Sequence, residues 1–207
     1  RTDIGVTPLH SAAKNGHLEI CVLIIENIVN QHPADNNGRT PLHVAAENGH
    51  VEIYKQLMEN LDNKNPSRTG GQTLLHYAAK NGHLEVCEII MQHLVNKNPA
   101  CVNGCTPLHL AAKNGHLEIC EELMRTLVEK NPEDKGGWTP LHAAASEGQF
   151  EICKVLMENL HDKNPKNNEG RTPLHLAAII PSNLDLDAKS GYLATCKLLM
   201  ENLDNKS

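Results

Sequence analysis

Thr106-Pro107-Leu108-His109-Leu110-Ala111-Ala112-Lys113-Asn114-Gly115-His116 is the stretch that decides how the rest of this chain is read. Thr106 has the character of a helix N-cap, its hydroxyl able to accept from an otherwise unpaired backbone N–H. Pro107 loses nothing at the first helical position, because its missing donor would have been an orphan. Ala111 and Ala112 let a neighbouring helix approach closely, and Gly115 supplies the left-handed residue that ends a short helix. A second, amphipathic helix is predicted from Leu117 to Leu127: Leu117, Cys120, Leu123, Met124 and Leu127 recur three or four residues apart, with Glu118, Glu121 and Glu122 opposite. Asn131-Pro132 stops it, and the extended stretch Glu133 to Trp138 leads to the next cap, Thr139.

Thr-Pro-Leu-His also begins at Thr7, Thr40, Thr139 and Thr172, and Thr73-Leu74-Leu75-His76 fills the remaining slot, so one unit of loop, short helix and longer helix recurs every 33 residues, as from Thr7 to Thr40. A unit of that size cannot bury its apolar face alone and must stack on its neighbours. The expected fold is an all-α solenoid of six units, near 1–34, 35–67, 68–100, 101–133, 134–166 and 167–207, forming a single repeat domain. Aromatic residues make up only 2% of the chain, so its core is expected to be aliphatic and thin.

Composition excludes several function classes. Nineteen Lys plus Arg stand against 25 Asp plus Glu, a net charge of -6, and no basic run interrupts the mixture, which argues against a nucleic-acid partner. No apolar run is long enough to cross a bilayer and no signal peptide is visible, so the expected setting is cytoplasmic and reducing. Cys21, Cys87, Cys120, Cys153 and Cys196 share one repeat position, which holds Tyr54 in the second unit, and a slot accepting either residue is a packing slot. Cys101 and Cys105 share one loop; zinc would need a second pair there, and a redox-sensitive hairpin disulfide is the alternative to two free thiols. Of thirteen histidines, six fill the Thr-Pro-Leu-His slot, and His17, His50, His83 and His116 follow a glycine. Ten equivalent histidines are a repeat feature and not a catalytic or metal site, and neither a metal nor a cofactor is expected.

The 33-residue period, the Gly-x-Thr-Pro-Leu-His-x-Ala-Ala pattern and Asn-Gly-His-Leu-Glu-Ile at Asn15 to Ile20 and Asn114 to Ile119 resemble the ankyrin repeat across nearly the whole chain. The resemblance implies hairpin-like loops projecting from paired antiparallel helices, with a concave surface of loop tips and short helices that binds another protein or peptide. Carried onto this chain, the contact positions are the residue before each capping Thr (Val6, Arg39, Gln72, Cys105, Trp138 and Arg171) and the pair after Ala-Ala. Those pairs include Lys14, Glu47, Lys80 and Lys113, each followed by Asn, and Ser146 followed by Glu147. The recurring Asn15, Asn48, Asn81 and Asn114 read as helix terminators. Trp138, Arg171 and Arg39, helped by Tyr77, are the expected anchors, since exposed Trp, Tyr and Arg dominate interface energetics; the alternative for Trp138 is packing against its neighbouring loop. The implied molecule is a non-catalytic, monomeric interaction scaffold. The resemblance also implies asparaginyl hydroxylation at Asn65, Asn98, Asn131 and Asn164 as an alternative, or service as the targeting module of a larger enzyme or membrane protein.

Two features depart from the family pattern. The second helices lack a terminal glycine, reading Glu59 to Pro66 with near copies at Glu158 to Pro165 and Glu201 to Lys206, so helix two is expected to run longer, with Asn63 or Asn65 as the left-handed cap. Thr172 to Cys196 spans ten residues more than Thr7 to Cys21. The insertion is expected near Ile180 to Ser190, either as a neutral loop or as a partner-specific finger using Leu184, Asp185, Leu186 and Asp187. The apolar run Ile20 to Ile25 in the first unit and the stop at Ser207, after a start at Arg1, lead to the expectation of a piece of a longer array. The sequon at Asn205 carries little weight beside cysteine usage that argues against secretion.

Overall fold

The computed structural model describes residues 2–28, 30, 32–59 and 65–204. Among them, short and long helices alternate: α1 Pro8–Lys14, α2 Leu18–Asn27, α3 Pro41–Asn48, α4 Val51–Met58, α5 Leu74–Asn81, α6 Leu84–Gln92, α7 Pro107–Asn114, α8 Leu117–Thr126, α9 Pro140–Ser146, α10 Phe150–Asn159, α11 Pro173–Ala177 and α12 Leu186–Asp204. No strand forms among the described residues; one isolated antiparallel bridge joins Ser67 to Thr73. The chain divides into two compact units, Arg1–Val102 and Asn103–Ser207. In the first, α1 packs on α3 and α3 on α5, each short helix also meeting its own longer partner; in the second, α7, α9 and α11 do the same with α8, α10 and α12.

The core is built from copied positions. Leu42, Leu75, Leu108 and Leu141 are fully buried, as are the pairs Ala45-Ala46, Ala78-Ala79, Ala111-Ala112 and Ala144-Ala145 that let the short helices approach. Cys21, Cys87, Cys120 and Cys153 are buried with Tyr54 in the same slot, and Cys196 is half-buried. Burial pushes the Cys87, Cys120 and Cys153 thiols up to about 12, so they behave as small apolar groups. Cys101 and Cys105 are free and half-buried, so the hairpin disulfide is not formed.

The ends of the long helices correct one expectation. α10 stops at Asn159 and does not run on toward Pro165, because Leu160 turns extended (φ -104, ψ 140), as Leu127 does after α8 (φ -89, ψ 141). The chain then tightens through a side-chain oxygen two residues ahead of each inter-repeat Asn: Glu129 Oε1 accepts from Asn131 N and Asp162 Oδ1 from Asn164 N, both at 3.0 Å. These ends need no left-handed residue. Positive φ is confined to glycine among the described residues, so Asn65 is not a left-handed cap; Asn63 and the Asn205 sequon lie outside the described residues.

The sixth repeat is also rebuilt. Lys189-Ser190-Gly191-Tyr192 takes the place of Lys113-Asn114-Gly115-His116, which puts the insertion at residues 179–188 and not 180–190. Elsewhere a left-handed glycine such as Gly115 (φ 82) ends the short helix. Here Asp185 caps α12 instead, its Oδ1 accepting from Ala188 N at 2.9 Å, and Gly191 falls inside the helix. A Cβ on Gly191 would lie 2.8 Å from the Gly148 carbonyl oxygen, so only glycine permits that approach. Tyr192 Oη donates to Ser146 O at 3.0 Å. His50 Nε2 to Lys14 O (3.0 Å) and His83 Nε2 to Glu47 O (2.9 Å) make the corresponding link in earlier repeats.

Candidate binding face of loops and short helices

Each short helix begins with a reciprocal cap between Thr and the His three residues on. The Thr106 N–H donates to His109 Nδ1 at 3.2 Å. With Nδ1 accepting, the ring proton sits on Nε2, which donates to the Trp138 carbonyl at 2.9 Å. His10 likewise reaches Arg39 O (2.9 Å) and His142 reaches Arg171 O (3.1 Å). The histidine of one repeat therefore anchors the backbone of the next loop-edge residue and leaves that residue's side chain to project. Sequence reasoning missed this positioning role; its signal was the constant 29-residue offset from each His to the residue before the next capping Thr. Burial holds the His109 and His142 imidazoles below their ordinary range, outweighing the opposite pull of the accepting carbonyls.

A second device fixes the same residue from within its own hairpin. Asp35 Oδ1 accepts from Asn37 N (2.9 Å) and Arg39 N (2.8 Å). Asp134 Oδ1 does so from Gly136 N (2.8 Å) and Trp138 N (2.9 Å), and Asn167 Oδ1 from Glu169 N (3.0 Å) and Arg171 N (2.9 Å). Arg39, Trp138 and Arg171 are thus presented from rigid backbones.

The side chains differ in what they offer. Arg39 is half-buried and ion-paired to Glu47 on α3. Arg171 is exposed, its Nε 3.2 Å from Glu169, and Lys113 on α7 faces Glu147 beyond α9 at 3.9 Å. Lys80 is exposed at the end of α5. Trp138 is half-buried: its ring tilts against His142 with centroids 6.1 Å apart and covers Gly136, whose added Cβ would lie 3.2 Å from the Trp138 ring. The ring thus lies on its own hairpin and on the start of α9, a placement different from packing on a neighbouring loop, and keeps part of its surface open. Cys105 is half-buried beside Thr106 O, with Sγ at 3.8 Å. Gln72 is half-buried, its Oε1 accepting from Arg68 Nη2 (3.0 Å) and Tyr77 Oη (3.1 Å). Tyr77 corrects the expectation of an exposed anchor: it is 7% exposed, because α5 turns its ring toward His43, 6.0 Å away and edge-on. The recurring Asn15, Asn48, Asn81 and Asn114 each donate to the carbonyl four residues back, as helix terminators should.

Loop, short helix and long helix at a constant spacing, tied repeat to repeat by histidine, define a lineage. A family model of ankyrin repeats in three copies matches residues 1–69, 60–134 and 122–207. The chain belongs to the ankyrin-repeat family. A search of curated proteins finds no match to it. Ankyrin repeats are generally protein–protein interaction modules and are typically non-enzymatic. No described helix of this ankyrin chain is long and apolar enough to cross a membrane, and the described residues hold no group of three or more His, Cys, Asp or Glu placed for a metal. Among its inter-repeat asparagines, Asn65 is 9% exposed with Oδ1 accepting from Leu75 N (3.1 Å); Asn98, Asn131 and Asn164 are half-buried.

Proposed function

We propose that the chain is a non-catalytic scaffold that holds a protein or peptide partner on the face made by its hairpin loops and short helices. One observation carries this reading: a recurring frame of Thr–His caps, joined by an Asx-type hairpin before Arg39, Trp138 and Arg171, presents a loop-edge position that changes from Arg39 to Gln72, Cys105, Trp138 and Arg171. Rigid presentation lowers the ordering cost of binding, and varied side chains on a constant frame supply specificity. The test is affinity capture by wild type and by the Trp138→Ala/Arg171→Ala variant. The variant should lose the partner while its thermal unfolding stays unchanged; equal capture rejects this choice of residues, and turnover by the purified chain rejects the non-catalytic reading.

Hydroxylation of Asn65, Asn98, Asn131 and Asn164 is the second reading. The Asn65 carboxamide satisfies a backbone donor at the start of α5, so an enzyme must open that loop before reaching it. Intact mass after exposure to an asparaginyl hydroxylase should rise by whole oxygens, first at the half-buried sites; an unchanged mass removes the reading.

A further inference from the structure

The hairpins are not held alike. Asp35, Asp134 and Asn167 each turn an oxygen onto their own loop, but residue 68 is an arginine, which has no acceptor to offer. Hairpin 68–72 also lacks the histidine tie. His10, His109 and His142 each reach a loop-edge carbonyl 29 residues on, which for His43 would be that of Gln72. The Pro66 carbonyl ahead of the hairpin pulls on the His43 imidazole, yet Nε2 has no hydrogen-bond partner among the described residues.

The seat of this hairpin on the preceding loop is loose as well. Thr69 N reaches Asn37 O at 3.4 Å, whereas Asn36 N to Ile4 O is 3.1 Å, Lys135 N to Asn103 O is 2.9 Å and Asn168 N to Gly136 O is 3.0 Å. Asn36 and Asn168 add a side-chain bond to the loop before them, Nδ2 donating to Asp3 O (3.1 Å) and to Lys135 O (3.0 Å); Thr69 is exposed and has no carboxamide to do so. A Cβ added to Gly38 would lie 3.4 Å from the nearest atom of hairpin 68–72, but one on Gly104 or Gly137 would lie 2.8 or 2.6 Å from the loop that follows.

Side chains of its own repeat close the hairpin instead. Arg68 lies over the Tyr77 ring, 5.2 Å from its centroid, and Gln72 Oε1 accepts from Arg68 Nη2 (3.0 Å) and Tyr77 Oη (3.1 Å). Arg68 and Gln72 thereby roof a ring that is 7% exposed. The base is fixed, since Ser67 pairs with Thr73 and Asn65 Oδ1 accepts from Leu75 N at 3.1 Å.

We infer that residues 68–72 are a cover on the binding face that swings off the preceding loop about this fixed base and lays bare the Tyr77 ring. Opening breaks the long bond to Asn37 O, the bond from Val102 N to Gly70 O and the contacts of Arg68 and Gln72 with Tyr77, and leaves the helix pair itself intact. Closed, the face offers no aromatic at α5; open, it offers a ring with a polar tip, the kind of side chain that anchors interfaces. The inference goes beyond the scaffold reading and concerns a motion of the free chain.

Amide hydrogen exchange followed by NMR on the full chain tests it. The Thr69 N–H should be protected at least tenfold less than the Lys135 and Asn168 N–H groups. Tyr77 should be nitrated by tetranitromethane at least tenfold faster than the fully buried Tyr54, read by peptide mass. Gln72→Ala removes the clamp and should speed both Thr69 exchange and Tyr77 nitration threefold or more with circular dichroism unchanged. Arg68→Asp supplies the missing acceptor and should bring Thr69 protection to within threefold of that of Lys135. Equal protection of Thr69 and Lys135 in the wild type overturns the moving cover. So does Gln72→Ala nitration that rises while Thr69 exchange stays put, because the ring would then be uncovered by the side chain alone. An Arg68→Asp chain that exchanges as the wild type does overturns the role given to the absent acceptor. Each failure leaves the scaffold reading to its own capture experiment.

Discussion

Thr139-Pro140-Leu141-His142 and Thr172-Pro173-Leu174-His175 are the same tetrapeptide, folded into the start of α9 and of α11, yet their fates differ. Both keep the local cap: His142 Nδ1 takes the Thr139 N–H at 3.2 Å and His175 Nδ1 takes the Thr172 N–H at 3.3 Å. Burial diverges. Leu141 and His142 are fully buried, whereas Leu174 is half-buried and His175 exposed, because α9 packs between α7 and α11 while α11 has only α9 beside it among the described short helices. The cap belongs to the sequence; the burial belongs to the neighbour. The second divergence comes after Ala145 and Ala178, where the fifth repeat turns through Gly148 (φ 67) and the sixth detours through ten extra residues before Tyr192 reaches Ser146 O at the end of the preceding short helix.

The largest break in this comparison is predicted at the leucines. Leu141→Ala should destabilise the chain by about 3–5 kcal/mol through lost burial and a residual cavity, and Leu174→Ala by about 1–2 kcal/mol. Urea denaturation of the second compact unit's signal checks it, and equal losses would show that the neighbour adds nothing.

Acid should separate buried from exposed histidines next. Burial first, and Arg39 and Arg68 after it, lower His43 from 6.5 to about 4. A base whose folded pKa lies below its unfolded one contributes stability that is full above 6.5 and lost as pH falls from 6.5 toward 4. The loss is on the order of 3 kcal/mol for His43, with His109 and His142 acting in the same direction. Urea midpoints at pH 7 and pH 4.5 should fall accordingly, and His43→Gln should flatten the dependence; a parallel fall in the variant would assign it to other groups.

Gly191→Val should cost about 2 kcal/mol, since its Cβ meets the backbone carbonyl of Gly148 and no side chain that could move aside. The thermal midpoint reads this, and an unchanged midpoint would mean that α12 sits farther from α9 than the structure places it. The smallest effect sharpens the comparison: Tyr192→Phe removes the bond to Ser146 O and should cost about 1 kcal/mol without altering helix content. A neutral result would deny Tyr192 the linking role that histidine plays in earlier repeats.

Much of this was legible residue by residue. Thr106, Pro107 and Gly115 follow local rules of backbone geometry, so the short helix and its two ends could be read without a structure. The boundary of α8 was likewise set by the spacing of Leu117, Cys120, Leu123 and Met124. The site was less legible. Tyr77 reads as an exposed aromatic on a short helix, but its burial depends on Arg68 and Gln72 in its own hairpin and on His43 one repeat earlier. Trp138 has a fixed loop position by sequence, yet the tilt of its ring onto His142 is a matter of packing. The insertion showed by length alone; its edges at 179–188 emerged only when Tyr192 was seen to reach Ser146.

The sequence by itself determined the period, the helix pair, the caps and the family, because each depends on bonds or dihedral preferences within a few residues, repeated often enough to be unmistakable. Tertiary structure alone decided which histidine nitrogen ties one repeat to the next, which arginines converge on His43, and how much of Tyr77 or Trp138 water can reach. Those outcomes depend on how side chains pack, some within one hairpin and its helix and others across repeats about thirty positions apart, and backbone preference alone sets neither.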